Sequence, residues 1–282
     1  MTTPAGRVDL LSAGSPYGRR IGVVVEEAGA DRVRVALPHL EGNANRNGTL
    51  HGGVIASLVD VAGALAAQAS PTIDLAIQFV AAAIREPVVA EARVERRGRE
   101  IVFVRVEVRK TDGRLVASGL LAAYSGSGRR HDDVAPGDAG RRDLEAALAQ
   151  SSRSARSPFS AGLGIRVTRL PDGGAIALQP WSPDLADDAG GVHEGVLATL
   201  VDCAGGAAAW HVDGFDARGR AATIAMHLCF TGRVAEEDVV AVARPAWRSG
   251  DIYSIPVALA GRRSGRAAGT GTVTYRIARP AR

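Results

Sequence analysis

The chain carries the same pattern of residues twice, and this internal repeat restricts its possible folds more than any other feature. SPYGRRIGVVV, which begins at Ser15, matches SPFSAGLGIRV, which begins at Ser157. LHGGVIASLVDVAG from Leu50 matches VHEGVLATLVDCAG from Val192. Both pairs are 142 positions apart, so nothing is inserted between the two motifs within a copy. Self-similarity of this kind indicates one folding unit that is used twice.

The two copies are separated by a segment with the composition of a linker. Residues 128–156 are rich in Gly, Ser, Asp and Arg, and DLEAALAQ within them predicts a short helix. After the second motif the offset rises to 151, because TIDLAIQF from Thr72 matches TIAMHLCF from Thr223, so the second copy has an insertion at WHVDGFDARGRA. We predict an N-terminal domain at residues 1–127, a linker at 128–156 and a C-terminal domain at 157–282.

Each copy combines alternating segments with one long apolar segment. DRVRVAL, VAEARVE and VRVEVR in the first copy alternate apolar and polar residues, which is typical of strands with one buried face. Turn residues separate the strands, so we expect antiparallel pairing. GGVIASLVDVAGALAA is apolar on nearly every side at helical spacing, which indicates a buried helix. The sequence predicts an α+β fold in which each repeat wraps an antiparallel sheet around a long central helix.

Composition excludes several classes of function. The net charge of +4 comes from arginines scattered over strands and turns, without interleaved aromatic residues, so nucleic-acid binding is not expected. No apolar run spans a bilayer without a Gly, Asp or Arg, and the N-terminal residues lack the apolar core of a signal peptide. We therefore expect a cytoplasmic protein that does not bind membranes. The two cysteines lack the spacing of a zinc site.

One string of residues in the first copy resembles a known family. Asn45 begins the pattern Asn-x-x-Gly-Thr-Leu-His-Gly-Gly, Asp60 follows His51 by nine positions, and Thr-Ile-Asp precedes a predicted strand. Together these residues resemble the hotdog-fold acyl-CoA thioesterases of the PaaI-like type, over about residues 15–125 and 157–278. The resemblance implies a tandem (double) hotdog fold and an acyl-CoA substrate, hydrolysed without a metal or redox cofactor. It also implies that two hotdog units pair and that catalysis occurs between them.

The spacing within one repeat explains why two units are needed. Gly52 and Gly53 lie at the predicted start of the helix, where N–H groups without helical partners can bind a thioester oxygen that becomes negative during attack. Asp60 lies nine residues after His51, which is about 13 Å along a helix at roughly 1.5 Å per residue. One helix cannot bring both ends to the same carbon atom. If the two helices pack antiparallel, Asp202 of the second faces the start of the first.

The resemblance assigns roles to the residues of a first site, which we term site one. Asp202 is the general base or nucleophile, and the hydroxyl of Thr223 assists it. Gly52 supplies the oxyanion-binding N–H group. Asn45 places a side-chain amide near the thioester and the attacking water, and His51 helps to order the loop.

The mirror arrangement, site two, departs from the family pattern. It pairs Asp60 and Thr72 with the start of the second helix, where His193 keeps the histidine. Asp187 stands where the asparagine is expected, and Glu194 stands where the first glycine is expected. Two extra carboxylates close to a developing oxyanion oppose the binding of an anionic CoA ester. We expect site two to be the weaker site.

Other interpretations stay open at the level of sequence. An aspartate in a buried helix can be a structural residue that bonds to neighbouring backbone, and a histidine before a helix can be a cap. Because a fold does not determine a function, a non-catalytic protein that binds or senses acyl-CoA is the alternative to a thioester hydrolase. Single-hotdog relatives often pair their dimers, which predicts a homodimer of tandem chains.

Overall fold

The computed structural model describes residues 15–68, 71–125, 153–154, 157–213, 220–244 and 247–278. The helices are α1 (Pro16–Ile21), α2 (Gly52–Ala67), α3 (Pro158–Gly162) and α4 (Glu194–Asp213). The strands of the first repeat are β1 (Val24–Ala28), β2 (Arg32–Leu37), β3 (Thr72–Phe79), β4 (Val88–Arg97), β5 (Ile101–Lys110) and β6 (Leu115–Tyr124). The later strands are β7 (Arg153–Ser154), β8 (Arg166–Arg169), β9 (Ala175–Gln179), β10 (Arg220–Phe230), β11 (Val239–Ala243), β12 (Trp247–Ser249), β13 (Ile252–Gly261) and β14 (Ala267–Ala278).

The described strands form one antiparallel sheet that runs through both repeats. Its order is β1-β2-β4-β5-β6-β3-β10-β14-β13-β11-β9-β8-β7, and β12 pairs with β13. The repeats meet where β3 pairs with β10, which places Leu75 opposite Leu228 and Ile77 opposite Met226. These four side chains are buried. The two repeats therefore share a hydrophobic core as well as a sheet.

The central helices, α2 and α4, are buried because neither has a continuous polar face. Every residue of α2 after Gly52 is buried. His51 caps the N-terminus of α2, and the Arg97 guanidinium donates to the Ala67 carbonyl at its C-terminus over 2.6 Å. The stretch Glu194–Val212 of α4 is long and apolar enough to cross a membrane by composition, but 67% of it is buried inside the protein. It is the core helix of the second repeat.

Two glycines allow the central helices to approach each other closely. A Cβ atom on Gly53 would lie 2.5 Å from the Thr199 hydroxyl, and one on Gly195 would lie 2.6 Å from the Ser57 hydroxyl. Ser57 bonds across this contact, because its hydroxyl lies 3.1 Å from the Gly195 carbonyl and 2.9 Å from the Tyr17 hydroxyl. These pairings run in opposite directions along the two helices. The helices are therefore antiparallel, and the first turn of each faces the middle of the other.

The structure contains the predicted strands and the predicted central helix of the first repeat. Two other predicted segments lie wholly or partly outside the described residues. DRVRVAL, VAEARVE and VRVEVR fall in β2, β4 and β5. The short helix predicted at DLEAALAQ lies outside the described residues, and so do positions 214–219 of the insertion. Within the segment predicted as a linker, Arg153 and Ser154 pair with β8. The sheet of the second repeat thus begins before residue 157, and the domain boundaries stay a prediction.

Candidate active site

At site one, a carboxylate of the second repeat lies over the first turn of the helix of the first repeat. Asp202 Oδ2 is 3.4 Å from His51 Nδ1. A Cβ atom on Gly52 would lie 2.8 Å from the same oxygen, so a side chain at that position would displace the carboxylate. The Asp202 residue is only 7% exposed. Within one repeat the histidine and the aspartate are nine residues apart. The antiparallel packing of α2 and α4 instead places the histidine of the first repeat beside the aspartate of the second.

The Asp202 carboxylate is held in place by a neighbouring strand. The Thr223 hydroxyl, on β10, donates to Asp202 Oδ1 over 2.5 Å. This bond occupies one carboxylate oxygen and leaves the other directed towards Gly52.

His51 is a neutral helix cap. Its Nδ1 accepts a hydrogen bond from the Gly53 N–H over 3.0 Å, so the proton of the neutral ring is on Nε2. Burial lowers the pKa of His51, although the nearby Asp202 acts to raise it. The 3.4 Å contact between His51 and Asp202 is therefore not an ion pair. Among the residues the structure describes, no acceptor bonds to the Gly52 N–H, which is left for a ligand.

Asn45 shapes the loop that leads into α2. Its Oδ1 accepts hydrogen bonds from the N–H groups of Asn47 and Thr49 over 2.8 and 3.2 Å. The side chain therefore stabilises a turn. The described part of the chain contains no acceptor for its NH₂ group, so this end is available as a donor. The Asn45 side chain can thus hold the turn with its oxygen and donate from its NH₂ group.

Site two repeats the arrangement in a more buried environment. The Thr72 hydroxyl donates to Asp60 Oδ1 over 2.6 Å, and His193 Nδ1 accepts from the Gly195 N–H over 3.0 Å. Asp60 and His193 are each 1% exposed. Burial raises the pKa of Asp60 to about 7, against the opposing effect of the bond from Thr72. Burial lowers the pKa of His193 to about 4, while Asp187 acts to raise it.

The two departures at site two differ in their electrostatic effect. The Asp187 carboxylate accepts from the N–H groups of Ala189 and Gly191 and pairs with Arg233 over 3.1 Å. This ion pair offsets part of the Asp187 charge, but Asp187 still acts to raise the pKa of His193, so the expected repulsion at site two stays a prediction. Glu194 has a side chain where site one has none, and its carboxylate lies near Asp60. Glu194 and deeper burial therefore also distinguish site two from site one.

Asp60, His193 and Glu194 also form the one His/Asp/Glu cluster in the described ranges whose ligand atoms are close enough for a metal ion, within 4.8 Å of one another. Two features oppose this use. The lone pair of His193 Nδ1 already accepts from Gly195, and the N-terminus of α4 is the positive end of the helix dipole. The donor set does not fit a metal centre.

Sequence reasoning missed an aromatic pair close to Asp202. The Trp210 indole N–H donates to the Tyr275 hydroxyl over 3.2 Å, and the Tyr275 ring packs against Gly206 of α4. Burial and the neighbouring Asp202 raise the pKa of Tyr275. The signal was present, because Tyr275 and Tyr124 are 151 positions apart, the same offset as the strands after the central helices.

The chain is similar in sequence to esterases and thioesterases. The sequence profile described as Thioesterase superfamily matches residues 47–117. A Deinococcus radiodurans protein named provisionally as an esterase is 38% identical over 129 residues, which cover 44% of this chain and 88% of that protein. Acyl-coenzyme A thioesterase 13 of Mus musculus is 28% identical over 113 residues, 37% of this chain and 81% of that protein.

A solved structure extends the likeness to both repeats. The acyl-CoA thioesterase II TesB2 of Mycobacterium marinum superposes with a TM-score of 0.62 over 92% of this chain and 96% of its own. Its sequence identity is 15%, so this likeness concerns the fold. The predicted α+β tandem hotdog fold is confirmed.

Proposed function

The chain belongs to the thioesterase superfamily, and on this premise we propose that it is a thioester hydrolase that cleaves an acyl-CoA to a free acid and CoA. The proposed reaction occurs at site one, between the two repeats. The observation that carries the proposal is the position of the Asp202 carboxylate, 3.4 Å from the His51 ring that caps α2 and over a Gly52 N–H that has no acceptor among the described residues. The acyl-CoA relatives named above support the substrate class.

In this proposal, the thioester carbonyl oxygen binds the Gly52 N–H at the positive end of α2. Asp202 either attacks the carbonyl carbon or removes a proton from the water that does so; both routes need an ionised carboxylate. The bond from carbon to sulfur then breaks, CoA leaves as a thiolate that takes up a proton, and one water is consumed overall. Negative charge that develops on the carbonyl oxygen is stabilised by the fixed N–H group.

The remaining residues of site one have positioning roles. The Thr223 hydroxyl fixes the orientation of Asp202, and neutral His51 holds the first turn of α2 by accepting from Gly53. The NH₂ group of Asn45 is a donor for the thioester or the water. We propose that no metal or redox cofactor takes part, because every step uses these side chains and water.

We propose that site two contributes little turnover. Its acid, Asp60, has a pKa of about 7, so a large fraction is protonated and unable to attack or take a proton near neutral pH. Glu194 adds a side chain at the position where the oxyanion would bind and a carboxylate near Asp60. Both effects disfavour a thioester substrate there.

The test compares the same substitution at the two sites. Asp202→Asn keeps the size of the side chain but removes the base, and it should lower the rate of thiol release from acyl-CoA by about 100-fold or more. Asp60→Asn should cost much less. Melting curves of both variants control for folding. Equal losses, or a loss confined to Asp60→Asn, would contradict the choice of site; binding of acyl-CoA without thiol release by the unmodified protein would favour the non-catalytic alternative.

We also propose that the tandem chain forms a homodimer through the outer face of its sheet. A broad groove there follows β3, β10 and β14, and it is lined largely by small or uncharged side chains such as Ala76, Thr272 and Thr274. Leu120 at its margin is 42% exposed. A second copy seated on this face would cover Leu120 and the groove beside it.

A further inference from the structure

Two arginines lie on adjacent loops next to the first turn of α2, and we term this region the mouth of site one. Arg46 directly follows Asn45, and Arg85 lies in the loop after β3. The loops are joined because the Arg85 N–H donates to the Gly48 carbonyl over 3.1 Å. The Arg85 side chain lies across this turn, with its Nε 3.1 Å from where a Cβ atom on Gly48 would be. Both arginines are exposed.

The charge of Arg46 acts on Tyr275, a residue of the second repeat that is also influenced by Asp202. Tyr275 has its pKa raised by burial and by Asp202, and lowered by its bond from Trp210 and by Arg46. Arg46 lies in the loop that leads from Asn45 to His51, whose ring is 3.4 Å from Asp202, so it is near the proposed catalytic carboxylate.

At the mouth of site two the charges at the equivalent positions are reversed. Asp188 stands 142 positions after Arg46, and Glu236 stands 151 positions after Arg85. Arg85 and Glu236 also share an uncommon backbone conformation, with φ of 48° and 54°. The loops are thus structurally equivalent, and two cations at one mouth correspond to two anions at the other.

Helix α1 brings two arginines close to the acids beside site two. Arg20 of α1 forms an ion pair with Asp184, and Arg19 lies near enough to Asp188 to act against the rise in its pKa that burial causes. The equivalent helix beside site one, α3, has Ala161 and Gly162 in place of these arginines. Within the described part of the chain, Arg85 forms no ion pair.

We propose that Arg46 and Arg85 bind phosphate groups of the CoA moiety at site one, and that Asp188 and Glu236 exclude CoA from site two. The inference rests on the proposed function, since it concerns how the substrate of that site is recognised. Guanidinium groups are suited to phosphate because they present paired N–H donors to two of its oxygens. The opposite charges of the two mouths would then select one of two similar clefts for the substrate.

The first test measures dependence on phosphate. Arg85→Glu and Arg46→Asp, which introduce the residues of the opposite mouth, are compared on thioesters of the same acyl group with CoA, phosphopantetheine and N-acetylcysteamine. The CoA ester has three phosphates, the second ester one and the third none. Each variant should lower kcat/KM roughly tenfold more for the CoA ester than for the phosphate-free ester. The difference should shrink at high ionic strength. Equal losses on all three esters, or no loss on any, would refute the assignment.

The second test does not need hydrolysis. The dissociation constant of CoA itself should rise roughly tenfold in Arg85→Glu and stay unchanged in Arg99→Glu. Arg99 is an exposed arginine of the β4–β5 turn, beside the Arg97 that caps the far end of α2, so it is a matched charge control. If the unmodified protein binds CoA in this way but releases no thiol, the proposed function fails while the phosphate contacts stand. If Arg99→Glu weakens CoA binding as much as Arg85→Glu, the phosphate contacts are refuted.

Discussion

Replacing Asp60 by asparagine should stabilise the protein, and the gain should grow with pH. Burial raises the pKa of Asp60 from 3.8 to about 7, so the folded chain holds this proton more tightly than the unfolded chain does. As pH rises from 3.8 to about 7, the unfolded state loses the proton first, and the free energy of unfolding of the wild type falls. Above about 7 both states are ionised and the loss is complete. An asparagine side chain is never ionised, so the Asp60→Asn variant escapes this loss.

The size of the stability gain follows from the rise in the pKa of Asp60. About three pKa units correspond to roughly 4 kcal/mol, which is an upper value for the cost of the buried charge. The amide keeps an acceptor for Thr72, but its NH₂ group faces His193 Nδ1, which already accepts from Gly195. An unpaired buried donor costs about 2 kcal/mol. We expect a net gain of about 2 kcal/mol near pH 8, or roughly 4–8 °C in Tm, and almost none near pH 5.

Thermal unfolding at both pH values measures the effect directly. Asp202→Asn, the same change at the mirror position, is the control for removing one carboxylate from a central helix, and thiol release by Asp60→Asn monitors whether the folded state of that variant is intact. A difference in Tm between wild type and Asp60→Asn that is the same at both pH values would show that Asp60 is not a buried acid with a raised pKa. A less stable variant near pH 8 would refute the sign of the argument.

Two further predictions concern packing and assembly. Gly52→Ala should lower kcat for thiol release by about 100-fold, because the new Cβ would lie 2.8 Å from Asp202 Oδ2. The control Gly42→Ala, whose new Cβ has nothing within 4 Å, should leave kcat nearly unchanged. Equal activities of the two variants would contradict the role of Gly52. Light scattering should give twice the chain mass of 29.2 kDa, and Leu120→Lys on the outer face should lower it; a monomeric wild type would end the homodimer proposal.

The sequence could predict the antiparallel packing of the two helices from the family resemblance and from one distance. Nine residues separate His51 from Asp60, about 13 Å along a helix, so a site shared by the repeats predicts an aspartate from the other repeat beside each histidine. The matching threonines could be predicted from the repeat, since each lies near the start of the strand that follows its central helix. In the structure, Thr72 and Thr223 both donate to the aspartate of their own repeat.

Contacts between distant segments could not be predicted in the same way. Arg233 compensates Asp187 from 46 positions away, and no local pattern indicates which of the many arginines does so. Arg97 was one of several arginines in an ordinary turn sequence, yet it bonds to the carbonyls of Ala66 and Ala67 at the end of α2. Such contacts depend on how strands twist and where loops end, which residue spacing along the chain does not encode.

The joining of both repeats in one chain has a consequence for behaviour on dilution. When two separate subunits supply the halves of a cleft, the cleft is lost as the complex dissociates. Here α2 and α4 are tethered by the same polypeptide and by the β3–β10 pairing, so the effective concentration of one half around the other does not depend on how much protein is present. The contact between Asp202 and Gly52 is therefore intramolecular and independent of protein concentration. It persists at dilutions where a homodimer through the outer face of the sheet would have dissociated.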